Sequence, residues 1–222
     1  MSIKKETTKI PLNSQFSKTD DVEILNSERV NSSVWLERKT FRISLIATFT
    51  ALAIVLGYAM ASIPNIEVFT LMIFLSGFIM GKKEGAIIGL LSASIFTFFN
   101  PLGSSPPPLF IYQLIHYSLT GLSGGLAKNF MLNRKFFKPK EDLYVYQVMV
   151  IFGVIGGILT FLFDILSTLF GGFTVSTSVD YFIASYLLGI VTMFTPVHLI
   201  GNILGFVFLL PGLIQVITKL VD

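Results

Sequence analysis

Three apolar stretches of this chain each carry polar side chains at helical spacing, and these are the residues whose types could do chemistry. A helix places residues at i, i+3 or i+4, and i+7 on one face, so each set forms a polar stripe. Carboxylate, imidazole, amide and hydroxyl groups can pair with one another, bind a polar ligand or transfer protons. The stripes consist of Gln113, His116 and Thr120, of Thr160, Asp164 and Ser167, and of Thr195, His198 and Asn202.

The stretches that contain these stripes are too apolar for a water-soluble core. Hydrophobic residues make up 53% of the 222 residues, and only 13% are charged, whereas a soluble domain has roughly 25% charged residues. From about Phe41 onward, long apolar segments follow one another closely, which is typical of membrane-spanning helices. Polar side chains at membrane depth are costly and usually face a cavity or a partner.

The hydropathy pattern predicts an all-α fold, a six-helix membrane bundle over residues 41–222. Residues 1–40 are polar and are expected to form a disordered cytosolic tail. Pro106, Pro107 and Pro108 predict an extended outer loop before the fourth helix. The expected helices cover residues 41–63, 66–80, 84–99, 109–131 and 148–170, and a last stretch, 181–220, that splits into a first part and a spanning part broken near Pro196.

The basic residues give the bundle an orientation. All sixteen Lys and Arg residues fall in the N-terminal tail and its junction with the first helix, in the second and fourth connections, or near the C-terminus. The other three connections contain none. Since basic residues stay on the cytoplasmic side, both termini are expected to be cytosolic in a multi-pass protein of the plasma membrane. The same residues explain the pI of about 9.1 without a nucleic-acid partner.

Small residues predict close helix contacts. Gly77, Gly81, Gly85 and Gly89 recur every four residues, and this spacing lets helix backbones touch. Ala47 and Ala51 form an A-x-x-x-A pattern in the first helix. Simple packing and a docking face for a partner helix both fit that pattern.

The outer parts of the polar stripes are expected to converge on a pocket that opens outward. Alternatives for single residues stay open, because Asp164 could pair with His116 as a structural bridge and His198 and Asn202 could tie their helix to a neighbour. The pocket has no Lys or Arg, which indicates a neutral or weakly cationic ligand. No metal site or cofactor is predicted. The candidate substrate-binding residues are Asn65, Glu67, Asn100, Tyr112, Gln113, His116, Thr160, Asp164, Thr195 and His198.

Together these features resemble the substrate-specific (S) components of energy-coupling factor (ECF) vitamin transporters. Besides the six helices, the resemblance rests on the A-x-x-x-A pattern, on Pro-Asn-Ile-Glu at residues 64–67 followed by the glycine series, and on Asn100-Pro101 leading to Gln113. It implies a non-enzymatic subunit that binds a vitamin or related micronutrient from outside. It further implies that Ala47 and Ala51 contact a membrane T subunit, which carries two cytosolic ATPases. Riboflavin-, cobalamin- and pyridoxine-like compounds fit, whereas thiamine does not, because Trp35 in the tail is the only tryptophan.

A rival interpretation is an intramembrane serine protease. Gly121-Leu122-Ser123-Gly124 is similar to the G-x-S-G of rhomboid proteases, and His198 is followed by Gly201 and Gly205 as in their histidine segment. Such an enzyme needs the hydroxyl of Ser123 and the imidazole of His198 within hydrogen-bonding reach. Ser123 lies only five residues from Lys128, on the side expected to be cytosolic, which speaks against it.

Overall fold

The described part of the protein is all-helical. The computed structural model describes residues 38–61, 63, 68–100, 103–139 and 142–221, and no strand occurs among them. A π-helical segment, Gly205–Leu209, joins the last two helices into one continuous helical segment. The helices are α1 (Lys39–Met60), α2 (Phe69–Met80), α3 (Lys82–Phe98), α4 (Pro107–Leu132), α5 (Tyr146–Gly172), α6 (Val179–Val191), α7 (Phe194–Leu204) and α8 (Leu210–Val221).

Three helical segments are long and apolar enough to cross a membrane, which marks the chain as a membrane protein. They are α1, α5 and the continuous segment Phe194–Leu220, formed by α7, the π-helical segment and α8. α2 and α6 are apolar but shorter. At 1.5 Å per residue, the 12 residues of α2 rise about 18 Å, which is less than a hydrocarbon layer of about 30 Å.

The helix ends differ from the prediction where prolines are involved. Pro107 and Pro108 occupy the first turn of α4, and only Pro106 is extended, so the expectation of an extended loop through Pro108 is wrong. A first-turn proline loses no hydrogen bond, because the N–H groups there have no helical partner, and its fixed φ suits a helix.

The break in the last stretch lies at Met193, three residues before Pro196. Met193 is left-handed, with φ of 62°, and α7 begins directly after it. Pro196 itself lies in the first turn of α7. The predicted split of this stretch into two parts is confirmed and lies at Met193, whereas the spanning segment Phe194–Leu220 is not broken at Pro196. At the other end of the bundle, α1 begins at Lys39, and residues 1–37, which include most of the predicted tail, lie outside the described residues.

The centre of the bundle is α2. Eleven of its twelve residues are buried, and it contacts α1, α3, α4 and α8. The turn from α2 to α3 is a single residue, Gly81, whose φ of 114° is strained for any other residue type. The short connection and complete burial explain why α2 is apolar on all sides.

Glycines bring α2, α3 and α4 into backbone contact, as predicted. A Cβ built on Gly77 or on Gly85 would fall on the carbonyl oxygen of Gly121 in α4, and one on Gly89 would fall on that of Tyr117. A Cβ on Gly124 would meet the carbonyl oxygen of Phe74 in the same way. Small residues at these points let the helices touch where lipid provides no drive for association.

The two ends of the bundle differ in charge. Arg42 of α1 pairs with Glu84 of α3 at one end, where Lys128 of α4 also donates from Nζ to the carbonyl oxygen of Ile79, at 2.8 Å. Every Lys and Arg within the described ranges lies on this end or in the connection beyond it. We call it the basic end. The non-basic end is the one where α1 ends and where α4 and α7 begin.

Candidate functional site

α4 supplies the first pair of the site, which consists of Tyr112 and the polar-stripe residue His116. Both side chains are buried. The hydroxyl oxygen of Tyr112 lies 3.2 Å from Nδ1 of His116 and donates to the carbonyl oxygen of Leu162 in α5, at 3.1 Å. Because the hydroxyl has one proton, which goes to Leu162, Nδ1–H of His116 is assigned as the donor to the tyrosine oxygen.

The stripes of α5 and α7 supply the second pair, Asp164 and His198. Nδ1 of His198 lies 2.7 Å from Oδ1 of Asp164, and the two side chains are only 7% and 5% exposed. A carboxylate buried at membrane depth needs such a partner, since removing it from water without one is costly. Asp164 therefore pairs with His198 and not, as one alternative had it, with His116.

Antiparallel packing of α5 on α7 fixes what lies beside this pair. One contact joins Asp164 to His198, and another, two turns nearer the basic end, joins Gly156 to Phe206. Steps of four residues along both helices connect these contacts. The intermediate step places Thr160 of α5 and Asn202 of α7 at the same level, one turn from Asp164 and His198.

Phe163 joins the two polar pairs into one cluster. Its ring centroid lies 5.1 Å from that of His116, 5.9 Å from that of His198 and 6.2 Å from that of Tyr112. Tyr112 also stacks on Phe170, at 5.1 Å and 8° between ring planes. We call Tyr112, His116, Asp164, His198 and Asn202 the buried polar cluster; aromatic rings pack on it from α4 and α5.

The cluster lies in the non-basic half of the bundle. Counted from the non-basic helix ends at 1.5 Å per residue, His116 lies about 14 Å into α4, Asp164 about 12 Å into α5 and His198 about 6 Å into α7. α4 itself has 26 residues, or about 39 Å. No Lys or Arg of the described segments is close to the cluster, because all of them lie at the basic end or beyond it.

On Asp164 and Asn202, three buried atoms have no hydrogen-bond partner among the described residues. They are Oδ2 of Asp164 and both amide atoms of Asn202, Oδ1 and Nδ2. Asn202 is only 3% exposed. Buried polar atoms are nearly always paired, so three such atoms within one helical turn call for a partner that is not part of the described chain.

The other predicted site residues are not among the five residues of the buried polar cluster. Thr160 is buried, but its hydroxyl donates to the carbonyl oxygen of Gly156 in its own helix. Gln113 accepts from the hydroxyl of Ser105, at 2.7 Å, near the non-basic start of α4. Thr195 lies beside Gly189 of α6. Asn100 follows α3, and its backbone carbonyl accepts from the N–H of Gly103, whereas Asn65 and Glu67 lie outside the described residues.

Three contributors to the site were not among the predicted site residues. Asn202 was assigned to a polar stripe, and its position four residues after His198 was the signal that could have placed it in the site. Phe163 and Tyr186 carry no such signal. Tyr186 of α6 lies near enough to Asp164 to interact with its charge, so α6 borders the cluster.

The residues of the protease interpretation are far apart in depth. The hydroxyl of Ser123 donates to the carbonyl oxygen of Thr120 in its own helix, at 2.7 Å. Ser123 lies about 24 Å into α4 from the non-basic end, against about 6 Å into α7 for His198. The imidazole of His198 is engaged with Asp164. Nothing in this arrangement favours nucleophilic catalysis.

The predicted docking residues lie on the surface of α1. Ala47 and Ala51 are both exposed, while Phe49, Thr50 and Ala53 of the same helix are buried. The A-x-x-x-A face therefore points away from the described core. The alternative that these alanines serve packing within the bundle is wrong.

The described residues contain no group of three His, Cys, Asp or Glu side chains that could hold a metal ion. Comparison of the chain with protein-family models, with curated proteins and with solved structures found no match.

Proposed function

We propose that this protein is the substrate-binding membrane subunit of an ECF-type importer for a vitamin or related micronutrient. In this proposal α1 to α5 and the segment Phe194–Leu220 cross the plasma membrane six times, with cytosolic N and C termini. The basic end then faces the cytosol, and the non-basic end faces outside. The chain is not an enzyme; a membrane T subunit and two cytosolic ATPases supply the energy.

The observation that carries the proposal is the buried polar cluster with its three unsatisfied atoms. A purely structural bridge between α5 and α7 would need only the bond between Asp164 and His198. Leaving Oδ2 of Asp164 and the amide of Asn202 without partners inside an apolar bundle is costly, by roughly 1–3 kcal/mol for each group. A ligand that binds there recovers this free energy, which favours a binding site over a brace.

The charges of the cluster support a neutral or weakly cationic substrate. The cluster contains one carboxylate, two imidazoles, one amide and one phenol, and it has no ammonium or guanidinium group to pair with an anion. Riboflavin-, cobalamin- and pyridoxine-like compounds belong to this class. The surrounding rings of Phe163 and Phe170 suit the flat face of a heterocyclic ligand.

The surface of α6 suggests how a ligand reaches the cluster. None of the thirteen described residues of α6 is buried, and its main contacts are with α5 and α7, the two helices that hold Asp164 and His198. Elements with few buried contacts open at low free-energy cost. In the proposed mechanism α6 moves aside to admit substrate from outside, and docking through Ala47 and Ala51 then reorients the subunit toward the cytosol.

We expect three substitutions to weaken ligand retention without unfolding the protein. Asp164→Asn and His116→Ala change the cluster, and Gln113→Ala changes the non-basic start of α4, on the side from which the ligand is proposed to enter. Loss of a hydrogen bond to a charged group costs about 1.5–3 kcal/mol, or roughly 10- to 150-fold in affinity, so the largest loss is expected for Asp164→Asn. The measurement is mass spectrometry of the small molecule that co-purifies with each variant in detergent.

Ser123→Ala is the matched control, because Ser123 bonds only to its own helix in the basic half of the bundle. It should retain as much ligand as the wild type. If Asp164→Asn, His116→Ala and Gln113→Ala all retain wild-type amounts, the binding site lies elsewhere. A proteolytic activity that is lost in Ser123→Ala would instead support the protease interpretation.

A further inference from the structure

The unsatisfied atoms of the cluster have a pattern that a ligand must match. This inference rests on the proposed function and concerns the same site. Oδ1 of Asp164 accepts a hydrogen bond from His198, which leaves Oδ2 as an acceptor directed elsewhere. The amide of Asn202 adds one further acceptor and one donor group, one helical turn nearer the basic end.

We propose that the site binds a planar, uncharged nitrogen heterocycle whose edge presents two N–H donors and one acceptor, with a donor facing Asp164. The amide oxygen and nitrogen of Asn202 can exchange positions by a half-turn of the side chain. In either orientation the complementary edge has the same composition. A cyclic 2-amino-oxo edge, as in guanine, presents an oxygen acceptor, a ring N–H and an exocyclic amino group in one line.

The aromatic residues on the cluster favour a flat ring over an alkyl amine. Phe163 packs on three ring systems of the cluster, with centroid distances of 5.1 to 6.2 Å, and Tyr112 stacks on Phe170. A heterocycle that packs on such rings gains offset or edge-to-face contacts, which a compact ammonium does not make. The edge of the heterocycle then meets the polar atoms and its faces meet the rings.

His198 makes Asp164→Asn an informative substitution. Nδ1–H of His198 requires an acceptor, so the oxygen of the new amide must face His198, and its NH2 group must take the place of Oδ2. The atom that faces the ligand thereby changes from an acceptor to a donor. A 2-amino group now opposes a donor, while a 2-oxo group, as in xanthine, gains a partner.

The experiment measures binding of tritiated guanine, hypoxanthine and xanthine to the full-length protein in detergent. For the wild type we expect guanine to bind roughly 100-fold or more tightly than hypoxanthine, which lacks the 2-amino group, because a site that pairs this group rejects analogues without it. For Asp164→Asn we expect the affinity for guanine to fall by at least about 10-fold and the affinity for xanthine to rise. If Asp164 only held the helices together, its substitution by Asn would not shift the binding preference from guanine to xanthine.

Ser123→Ala serves again as the control and should reproduce the wild-type preferences. Wild-type protein that binds guanine no more tightly than hypoxanthine overturns the inference, as does an Asp164→Asn variant that loses guanine without gaining xanthine. If a different small molecule then co-purifies with the wild type and is lost from Asp164→Asn, the proposed transport function is supported and only the proposed heterocyclic ligand is wrong. If no small molecule binds or co-purifies at all, both proposals fail.

Discussion

Gly121→Ala is expected to lower the thermal stability of the protein and its yield as a monodisperse species far more than a methyl addition at a glycine that has no backbone neighbour. The added Cβ would fall on the carbonyl oxygen of Gly85, and the backbone of Gly121 is itself the contact point for Gly77 and Gly85. Overpacking of this kind costs typically about 1–3 kcal/mol and can cost more, because here backbone atoms and not side-chain tips must move.

Gly171→Ala is the matched control, since a Cβ there would make only an ordinary contact of 3.6 Å with the side chain of Leu109. Both variants add one methyl group to a helical glycine. Helix propensity favours the change more at Gly121, in the interior of α4, than at Gly171, near the end of α5, so a lower midpoint for Gly121→Ala cannot come from propensity. The measurement is the unfolding midpoint in detergent together with the elution profile. Equal midpoints for the two variants would contradict the backbone contact between α2, α3 and α4.

Ala47→Trp is expected to abolish uptake while leaving ligand binding intact. Ala47 is exposed and lies on the same face of α1 as exposed Ala51, so an indole there points away from the described core. It would instead hold a docking helix away, since close helix approach in a membrane depends on small residues. Uptake is measured in cells that also express the T subunit and the two ATPases, and binding is measured from the ligand that co-purifies.

Leu119→Trp places the same indole on an exposed position of α4, 56% accessible, away from the proposed docking face. Normal uptake is expected for this control. Normal uptake by Ala47→Trp as well would show that α1 does not carry the docking face. Loss of both uptake and ligand binding in Ala47→Trp would point instead to damage within the bundle.

Helix positions were largely predictable because hydropathy, proline and glycine act locally. The sequence predicts the middle and the C-terminal end of α2 correctly, because its apolar residues continue up to Gly81, where the helix ends. The glycine series predicted the backbone contacts, since spacing alone puts these residues on one face. The start of α4 was placed two residues late, because three prolines in a row indicate an extended chain unless the last two occupy a helix's first turn.

The partners within the site were less predictable. Helical spacing gives the face that Asp164 shares with Thr160, but it does not give the neighbouring helix that this face meets. The choice of His198 over His116 follows from the packing of α5 on α7, which depends on contacts such as Gly156 against Phe206. Phe163, which joins the two polar pairs, is one of 22 phenylalanines, and composition does not distinguish it from the others.

The proposed function requires that the non-basic end of the bundle faces outside the cell, because only then can the buried polar cluster receive a nutrient from the outside. The sequence contains no cysteine, so single cysteines can report the orientation. Ser104 lies exposed near the non-basic end, and Lys83 lies exposed at the basic end. On intact cells, an impermeant thiol reagent should label Ser104→Cys and leave Lys83→Cys unlabelled. Labelling of Lys83→Cys alone would show that the topology is the reverse of the one proposed, and it would contradict the proposed function.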